Sequence, residues 1–403
     1  MPLRSYVPLL ACTVYFLLSR TCSERTQPIL ITWSRNSITS KEVAIALKEV
    51  KKHSALGLDQ IDNKIISSLP VEVTDALVDI FNGFLDSGVT PDSWKRSLVV
   101  LIPKPNSNGV RPISLVSCLL KLMEKVVYFR LRWWVESHLI IPEIQMGFRP
   151  LRSCIDNLTT LTNHIHTANL AGQFTVCVFV DIVGAFDNVI PSILVDALRN
   201  LGIPAKLRKF IQNLTSEREV FFVKNGRLSE PYVIHKGIPQ GSILSPILFN
   251  IYLVDITDCI RDKSLMLQYA DDIAIFAHDT NLTKAVESVQ NTLDSIQVYL
   301  RAKGLEISPD KSRCVIFSRK NKIPDFQQIR VGDQIIPLSD SFKFLGVWLD
   351  AKMTGRKHLI YLIQKGRSIV NILSSLSGVW WGSNPHSLLT IYRAVFRGSI
   401  EYG

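Results

Sequence analysis

The sequence predicts an α+β chain, and three observations carry that expectation. The run Phe174–Val180 (FTVCVFV) is β-branched and aromatic without polar alternation, the mark of a strand buried on both faces. Two further apolar runs, Leu265–Tyr269 and Ile273–Ala277, flank only Ala270, Asp271 and Asp272, which makes an antiparallel hairpin around an acidic turn. The remainder is dominated by segments whose apolar residues recur at helical spacing.

Taken in order, residues 1–24 hold an apolar segment in which Arg4 precedes a run from Val7 to Leu18. The run has the length of a secretory h-region and is too short to span a bilayer. No Ala-x-Ala cleavage pattern follows it, and we read it as a misplaced start or a fragment of a larger frame in preference to a working signal. Residues 25–85 are expected to form a helical extension, ending in a helix whose apolar face is Val73, Ala76, Leu77, Ile80, Phe81, Phe84 and Leu85. Gly88 and Pro91 end that helix.

A second helix is expected from Val116 to Glu136, where Leu119, Met123 and Val127 alternate with Lys121, Lys125, Arg130 and Arg132. Its basic side faces either phosphates or solvent. Another helix should begin near Ser245 and Pro246. After Asp350 the pattern turns to basic helices carrying Arg356, Lys357, Lys365 and Arg367, interrupted at Gly378 and Pro385 and resuming near Leu388.

Bulk properties set limits. At 403 residues, 47% hydrophobic and 20% charged, the chain is long enough for several packed subdomains and unlike a disordered polymer. Lys and Arg outnumber Asp and Glu by 46 to 35, for a formal charge of +11. That balance favours a polyanionic partner, although a solvated basic surface is the plain alternative. The 7 cysteines are scattered and never spaced as CxxC, so neither a disulfide framework nor a zinc site is readable. A reducing compartment fits this usage.

The acidic turn carries the chemistry. Two-metal phosphoryl transfer needs carboxylates that hold two divalent ions roughly 3.5–4 Å apart, and hard oxygen ligands suit magnesium. Asp181 at the end of the buried strand, with Asp271 and Asp272 in the hairpin, meets that need if the strands are neighbours. An acidic pair in a β-turn, taken alone, is ordinarily only a turn.

The surrounding segments change the balance. Asp181-Ile-Val-Gly-Ala-Phe-Asp187, Lys236-Gly-Ile-Pro-Gln-Gly-Ser242 and Tyr269-Ala-Asp-Asp272 resemble the first three palm motifs of reverse transcriptases, in the family's order. Gly304-Leu-Glu-Ile-Ser-Pro-Asp-Lys311 and Phe342-Lys-Phe-Leu-Gly346 resemble the fourth and fifth. Upstream, Ile102-Pro-Lys-Pro105, Arg111-Pro-Ile-Ser114 and Gln145-Met-Gly-Phe-Arg149 resemble finger motifs of the non-LTR (LINE-like) retrotransposon group. The chain is thereby identified as a member of that group over about residues 95–350.

The resemblance implies a right-hand polymerase: a reverse transcriptase domain over 86–350, with fingers at 86–173 and a palm with an antiparallel sheet at 174–350, then a partial helical thumb at 351–403. It implies that Asp181 and Asp271 bridge two Mg2+ ions with Asp272 beside them, and that Lys311 protonates departing pyrophosphate. Lys104 and Arg111 match residues that clasp the triphosphate, and Gln240 and Gly241 support the nucleotide. Phe186 matches a steric gate against the 2′-hydroxyl. Phe344, Leu345 and Gly346 match a primer grip. The plain alternatives are a core phenylalanine at Phe186, a solvated lysine at Lys311 and a helix-entry loop at Gln240.

The expected partners are an RNA template, a DNA primer and dNTPs, with no stable protein partner and no membrane association readable. The implied reaction is RNA-directed DNA synthesis, in the nucleus or the cytoplasm. The chain is expected to be a piece of a longer protein without the endonuclease of such elements. The rival reading is an inactive or domesticated remnant that binds RNA without copying it. The loop between Lys104 and Arg111 is short, which makes the triphosphate clamp the feature most dependent on its path.

Overall fold

A computed structural model describes residues 37–104, 109–320, 322–378 and 381–402. The apolar run from Val7 to Leu18, together with Cys12 and Cys22, lies outside the described residues. Along the chain come helices α1 (Ser40–Lys48), α2 (Asn63–Ser67) and α3 (Val71–Ser87), strands β1 (Arg96–Pro103) and β2 (Val110–Leu115), and helices α4 (Cys118–Ser137) and α5 (Cys154–Leu170). Strand β3 (Phe174–Val180) precedes α6 (Pro191–Asn200), α7 (Ala205–Thr215) and the short strands β4 (Arg218–Phe221), β5 (Val223–Lys224), β6 (Arg227–Leu228) and β7 (Tyr232–Ile234). Next come α8 (Ser245–Tyr252), β8 (Leu265–Tyr269), β9 (Asp272–Asp279), α9 (Leu282–Ala302) and β10 (Arg313–Phe317). The last elements are β11 (Arg330–Val331), β12 (Gln334–Ile335), β13 (Ser341–Phe344), β14 (Val347–Asp350), α10 (Arg356–Ser375) and α11 (Pro385–Ile391), which runs on through a π-helical turn (Tyr392–Arg397) into α12 (Gly398–Ile400). The chain is mixed α and β with largely antiparallel sheets, as expected.

These elements form two compact units. The first takes the described residues up to Trp134, with Leu198–His235 and Gln240–Leu244. Its sheet runs β2-β1-β4-β7, with β1 and β2 antiparallel and β1 and β4 parallel. Helix α1 starts in a capping box, with Thr39 and Glu42 exchanging side-chain-to-backbone bonds that satisfy its first N–H groups. Helix α3 ends at Gly88, whose φ of 72° is the left-handed conformation that glycine adopts without a Cβ penalty.

Helix α4 buries Leu120, Met123, Val127 and Leu131, a wider stripe than the expected one, with Leu119 only half-buried. Two of the four cations on its basic side are held by the protein's own carboxylates. Arg130 is 8% exposed and pairs with Glu42 of α1 at 2.7 Å, and Lys125 pairs with Glu49 at 2.6 Å. The partners lie far upstream in the chain, which is why helical periodicity alone did not reveal them.

The second unit holds Val135–Ala197, Lys236–Pro239 and the chain from Ser245 onward. Its sheet runs β10-β3-β9-β8 and is antiparallel throughout. Every residue of β3 is buried. Alternation along the strand sends Cys177 and Phe179 to a core shared with Leu158, Leu161 and Ile165 of α5, while Val176 and Val178 take the other face. Helix α9 packs against β3 and β9.

The β13–β14 ribbon closes the α5 side of this core. Phe342 stacks on Phe179 at 4.5 Å between ring centroids, and Phe344 meets the same ring at 5.0 Å. The cysteines at 118, 154, 177, 259 and 314 are free. No helix among the described residues is long and apolar enough to cross a membrane.

Candidate active site

The acidic residues meet because of strand register. Val180 pairs with Ile273, so the next position along β3, Asp181, stands opposite the first residue of β9, Asp272. Arg313 of β10 pairs with Phe179, and continuing that ladder brings Lys311 beside Asp181 from the other side. The Lys311 Nζ lies 3.9 Å from Asp181 Oδ2, with the two side chains 67% and 45% exposed. Such an open pair contributes little to stability and leaves both groups accessible to a ligand. The backbone of Asp181 is pinned as well: its N–H donates to Ser312 Oγ at 3.1 Å, and its carbonyl accepts from Ser308 N–H at 2.8 Å.

Tyr269 pairs with Asp272, so Ala270 and Asp271 form a two-residue hairpin turn. Ala270 has a φ of 59° while Asp271 does not take a positive φ, the pattern of a type II′ turn whose first position ordinarily belongs to glycine. An alanine there is strained and needs holding. Gln145 Oε1 accepts from Ala270 N–H at 2.9 Å and from Gly147 N–H at 2.7 Å, while Gln268 Nε2 donates to Ala270 O at 2.9 Å. Both glutamine side chains are buried. Gly147 lies so close that a Cβ there would stand 2.5 Å from Ala270 N.

The strut under the turn is itself tied down. Met146 N–H donates to Gln268 O and Gln268 N–H to Ile144 O, each at 2.9 Å. Asn250 Nδ2 donates to Gly147 O at 2.8 Å, and Arg149 pairs with Glu136 at 2.7 Å. Sequence reasoning had assigned Gln145–Arg149 to a finger motif and missed this support for the hairpin, as it missed Gln268 and Asn250. The available signal was a glutamine two residues ahead of a glycine, an amide that must find partners wherever it is buried.

Asp272 is open to solvent on its outer side, yet partial desolvation of its carboxyl, together with the charges of Asp271 and Asp181, pushes its pKa up to about 6. Mutual repulsion of this kind is what a divalent cation relieves, and the oxygen donors suit a hard ion. The donor set fits magnesium in chemistry. Among the described residues no three acidic, histidine or cysteine side chains already stand together at ligand spacing.

Phe186 follows Asp181 on a turn closed by Asp187 N–H to Gly184 O at 2.9 Å. Its ring is half-exposed and stacks on Phe249 of α8 at 4.7 Å, so it is braced from behind. Leu345 and Gly346 join β13 to β14 with φ of 44° and 90°, the two positive values of a type I′ turn. Phe344 points into the core at 2% exposure, and Tyr402 Oη donates to Leu345 O at 2.7 Å. The exposed surface of this turn is therefore Leu345 and Gly346.

The other predicted residues lie in the first unit, on or beside the β1–β2 ribbon. Ile102 pairs with Arg111, and Lys104 N–H donates to Gly109 O at 2.8 Å. That register puts Lys104 and Arg111 on the same face of the β1–β2 ribbon as diagonal neighbours, both exposed. The tip of their loop, 105–108, lies outside the described residues. Farther along β2, Ser114 N–H donates to Gln240 O at 2.7 Å, and a Cβ on Gly241 would collide with Ser114 O. Only glycine permits that approach at its φ of 129°.

Known proteins resemble this sequence. The family described as "Reverse transcriptase (RNA-dependent DNA polymerase)" matches residues 102–349. The "Probable RNA-directed DNA polymerase from transposon BS" of Drosophila melanogaster is 28% identical over 344 residues, covering 82% of this chain and 38% of its own length. The "RNA-directed DNA polymerase from mobile element jockey" of the same species is 27% identical over 394 residues, covering 93% and 42%. The "Retrovirus-related Pol polyprotein from type-1 retrotransposable element R2" of Nasonia vitripennis is 27% identical over 322 residues, covering 75% and 30%. The chain thus spans about two fifths or less of the curated relatives it matches. Their names agree with the non-LTR resemblance read from the motifs, and the matched span contains the acidic residues of β3 and of the β8–β9 turn. The chain belongs to the reverse transcriptase (RNA-dependent DNA polymerase) family.

Proposed function

We propose that the chain is the polymerase core of a non-LTR retrotransposon, extending a primer 3′-hydroxyl with dNTPs on an RNA template. The observation that carries the reading is the register that gathers Asp181, Asp271, Asp272 and Lys311 at one end of a single antiparallel sheet. In this reading the chain is a right-hand polymerase, with fingers over 86–173, a palm over 174–350 and the beginning of a thumb from 351.

Asp181 and Asp271 would hold two Mg2+ ions, with Asp272 as the auxiliary carboxylate. Such ions, when bound, lower the pKa of the attacking hydroxyl and neutralise charge on the leaving group. The chain's own residues do the rest. Lys104 and Arg111 bind the triphosphate, and positioning it for in-line attack is the larger part of phosphoryl-transfer catalysis. Lys311 is a flexible ammonium near Asp181, suited to giving a proton to pyrophosphate as it leaves. The braced ring of Phe186 excludes the 2′-hydroxyl, Gln240 and Gly241 support the nucleotide, and the Leu345–Gly346 turn supports the primer terminus.

The test is primer extension on an RNA template with dNTPs and magnesium, comparing the wild type with Asp271→Asn. Extension should be abolished in the variant while RNA binding persists. Equal extension by both proteins would reject the carboxylate assignment. RNA binding without extension in the wild type would favour a remnant that binds without copying.

A further inference from the structure

Glu124 is a buried carboxylate that the scheme above does not use. It sits on α4 at 3% exposure, on a helix fixed by the fully buried neighbours Met123 and Val127. Both of its oxygens are spent on one segment. Ser242 Oγ donates to Oε1 at 2.7 Å, and Ile243 N–H donates to Oε2 at 2.9 Å. Leu244 N–H in turn donates to Ser242 Oγ at 3.1 Å.

A carboxylate in such a place is expensive to keep. Burial raises the Glu124 pKa to about 7, against which the Ser242 and Ile243 bonds and the nearby charge of Lys121 only partly compensate. An apolar residue of similar size would fill the space at lower cost if packing were all that mattered. What the carboxylate adds is two directed acceptors, and both shape the backbone immediately after Gly241. Ser114 holds the near end of the segment through Gln240 O, and Glu124 holds the far end. Between these anchors Gly241 keeps a φ of 129°.

We propose that Glu124 is a positioning residue for the Gln240–Leu244 segment, holding Gln240 and Gly241 in the form that receives the incoming deoxynucleotide. The inference rests on the reading of that segment as nucleotide-binding. Glu124 acts through backbone geometry and touches no substrate. Its loss therefore weakens dNTP binding more than it slows turnover.

The test measures KM for dNTP and kcat in RNA-templated primer extension for the wild type, Glu124→Gln, Glu124→Ala and Gln240→Ala, with thermal melting of each protein. Glu124→Gln keeps an acceptor for Ile243 N–H and offers Ser242 Oγ a donor, so its KM should stay within about threefold of wild type. Glu124→Ala strands both donors and should raise KM roughly tenfold or more with a much smaller change in kcat. Gln240→Ala should raise KM as well.

A raised KM in Gln240→Ala with an unchanged KM in Glu124→Ala would overturn the positioning role alone. An unchanged KM in Gln240→Ala would remove the nucleotide-binding reading and this inference with it. Loss confined to kcat and melting temperature in Glu124→Ala is the signature of general packing and also overturns the role. If Glu124→Ala does not fold, Ser242→Ala takes its place, with a raised KM in support and an unchanged one against.

Discussion

Replacing Gly147 by alanine should displace the acidic turn without unfolding the protein. The added Cβ would stand 2.5 Å from Ala270 N, 3.0 Å from Gln145 Oε1 and 3.1 Å from Tyr269 C. Non-bonded contact needs roughly 3.5 Å, so the turn and the Gln145–Gly147 segment must separate by about 1 Å. Two of the three obstacles are backbone, and no rotamer change relieves them. The third is the amide that holds Ala270 at positive φ, so relief there loosens the turn directly. Overpacking of this kind costs about 1–3 kcal/mol, within the roughly 5–15 kcal/mol of a folded domain. A shift of about 1 Å in catalytic groups costs on the order of 10²-fold in rate. Single-turnover primer extension at saturating dNTP, alongside a thermal melt, separates the two effects. A folded variant whose extension rate stays within about threefold of wild type would refute the idea that Gly147 spaces the turn.

Phe186→Ala should admit ribonucleotides, reducing the preference for dNTP over the matching ribonucleotide by on the order of tenfold in kcat/KM; unchanged sugar selectivity would remove the ring from that role. Burial raises the Glu42 pKa, but Arg130 and Thr39 together hold it below its ordinary 4.5. Its stabilisation is thus present above that value and fades as pH falls through the lowered folded pKa, so acid should weaken wild type more steeply than Glu42→Gln in denaturant titrations. Glu124 has the opposite sign: its contribution is full below 4.5 and disappears as pH rises through about 7. The wild-type melting temperature should fall from about pH 5.5 to about pH 8 more than that of Glu124→Gln, and parallel curves would contradict the raised pKa.

The strands and turns of the site were legible because they depend on local pattern. A short apolar run rich in β-branched and aromatic residues reads as a strand covered on both sides, and Asp271 between two such runs falls at a hairpin tip. Supporting contacts were less visible, since a buried polar group announces that it needs a partner but not which one. Gln145 meets Ala270 across 125 positions of chain, and Arg130 meets Glu42 across 88. The side of α4 that looked ready for phosphate is partly occupied by the protein's own carboxylates for the same reason. Register gave information that composition lacked: Lys104 and Arg111 share a ribbon face only because Ile102 pairs with Arg111.

The aromatic trio of Phe179, Phe342 and Phe344 joins two places that the chain sequence keeps far apart. Phe179 lies two positions before Asp181, and Phe344 immediately precedes the Leu345–Gly346 turn. Ring-on-ring contact therefore acts as a spacer bar between the carboxylate end of the sheet and that turn, and its length is the thickness of packed side chains. Trimming the bar at Phe179 would loosen that spacing, leaving the backbone bonds from Ser318 N–H to Ala351 O and from Ser339 N–H to Cys314 O to hold the ribbon, while every residue exposed at either end stayed unchanged.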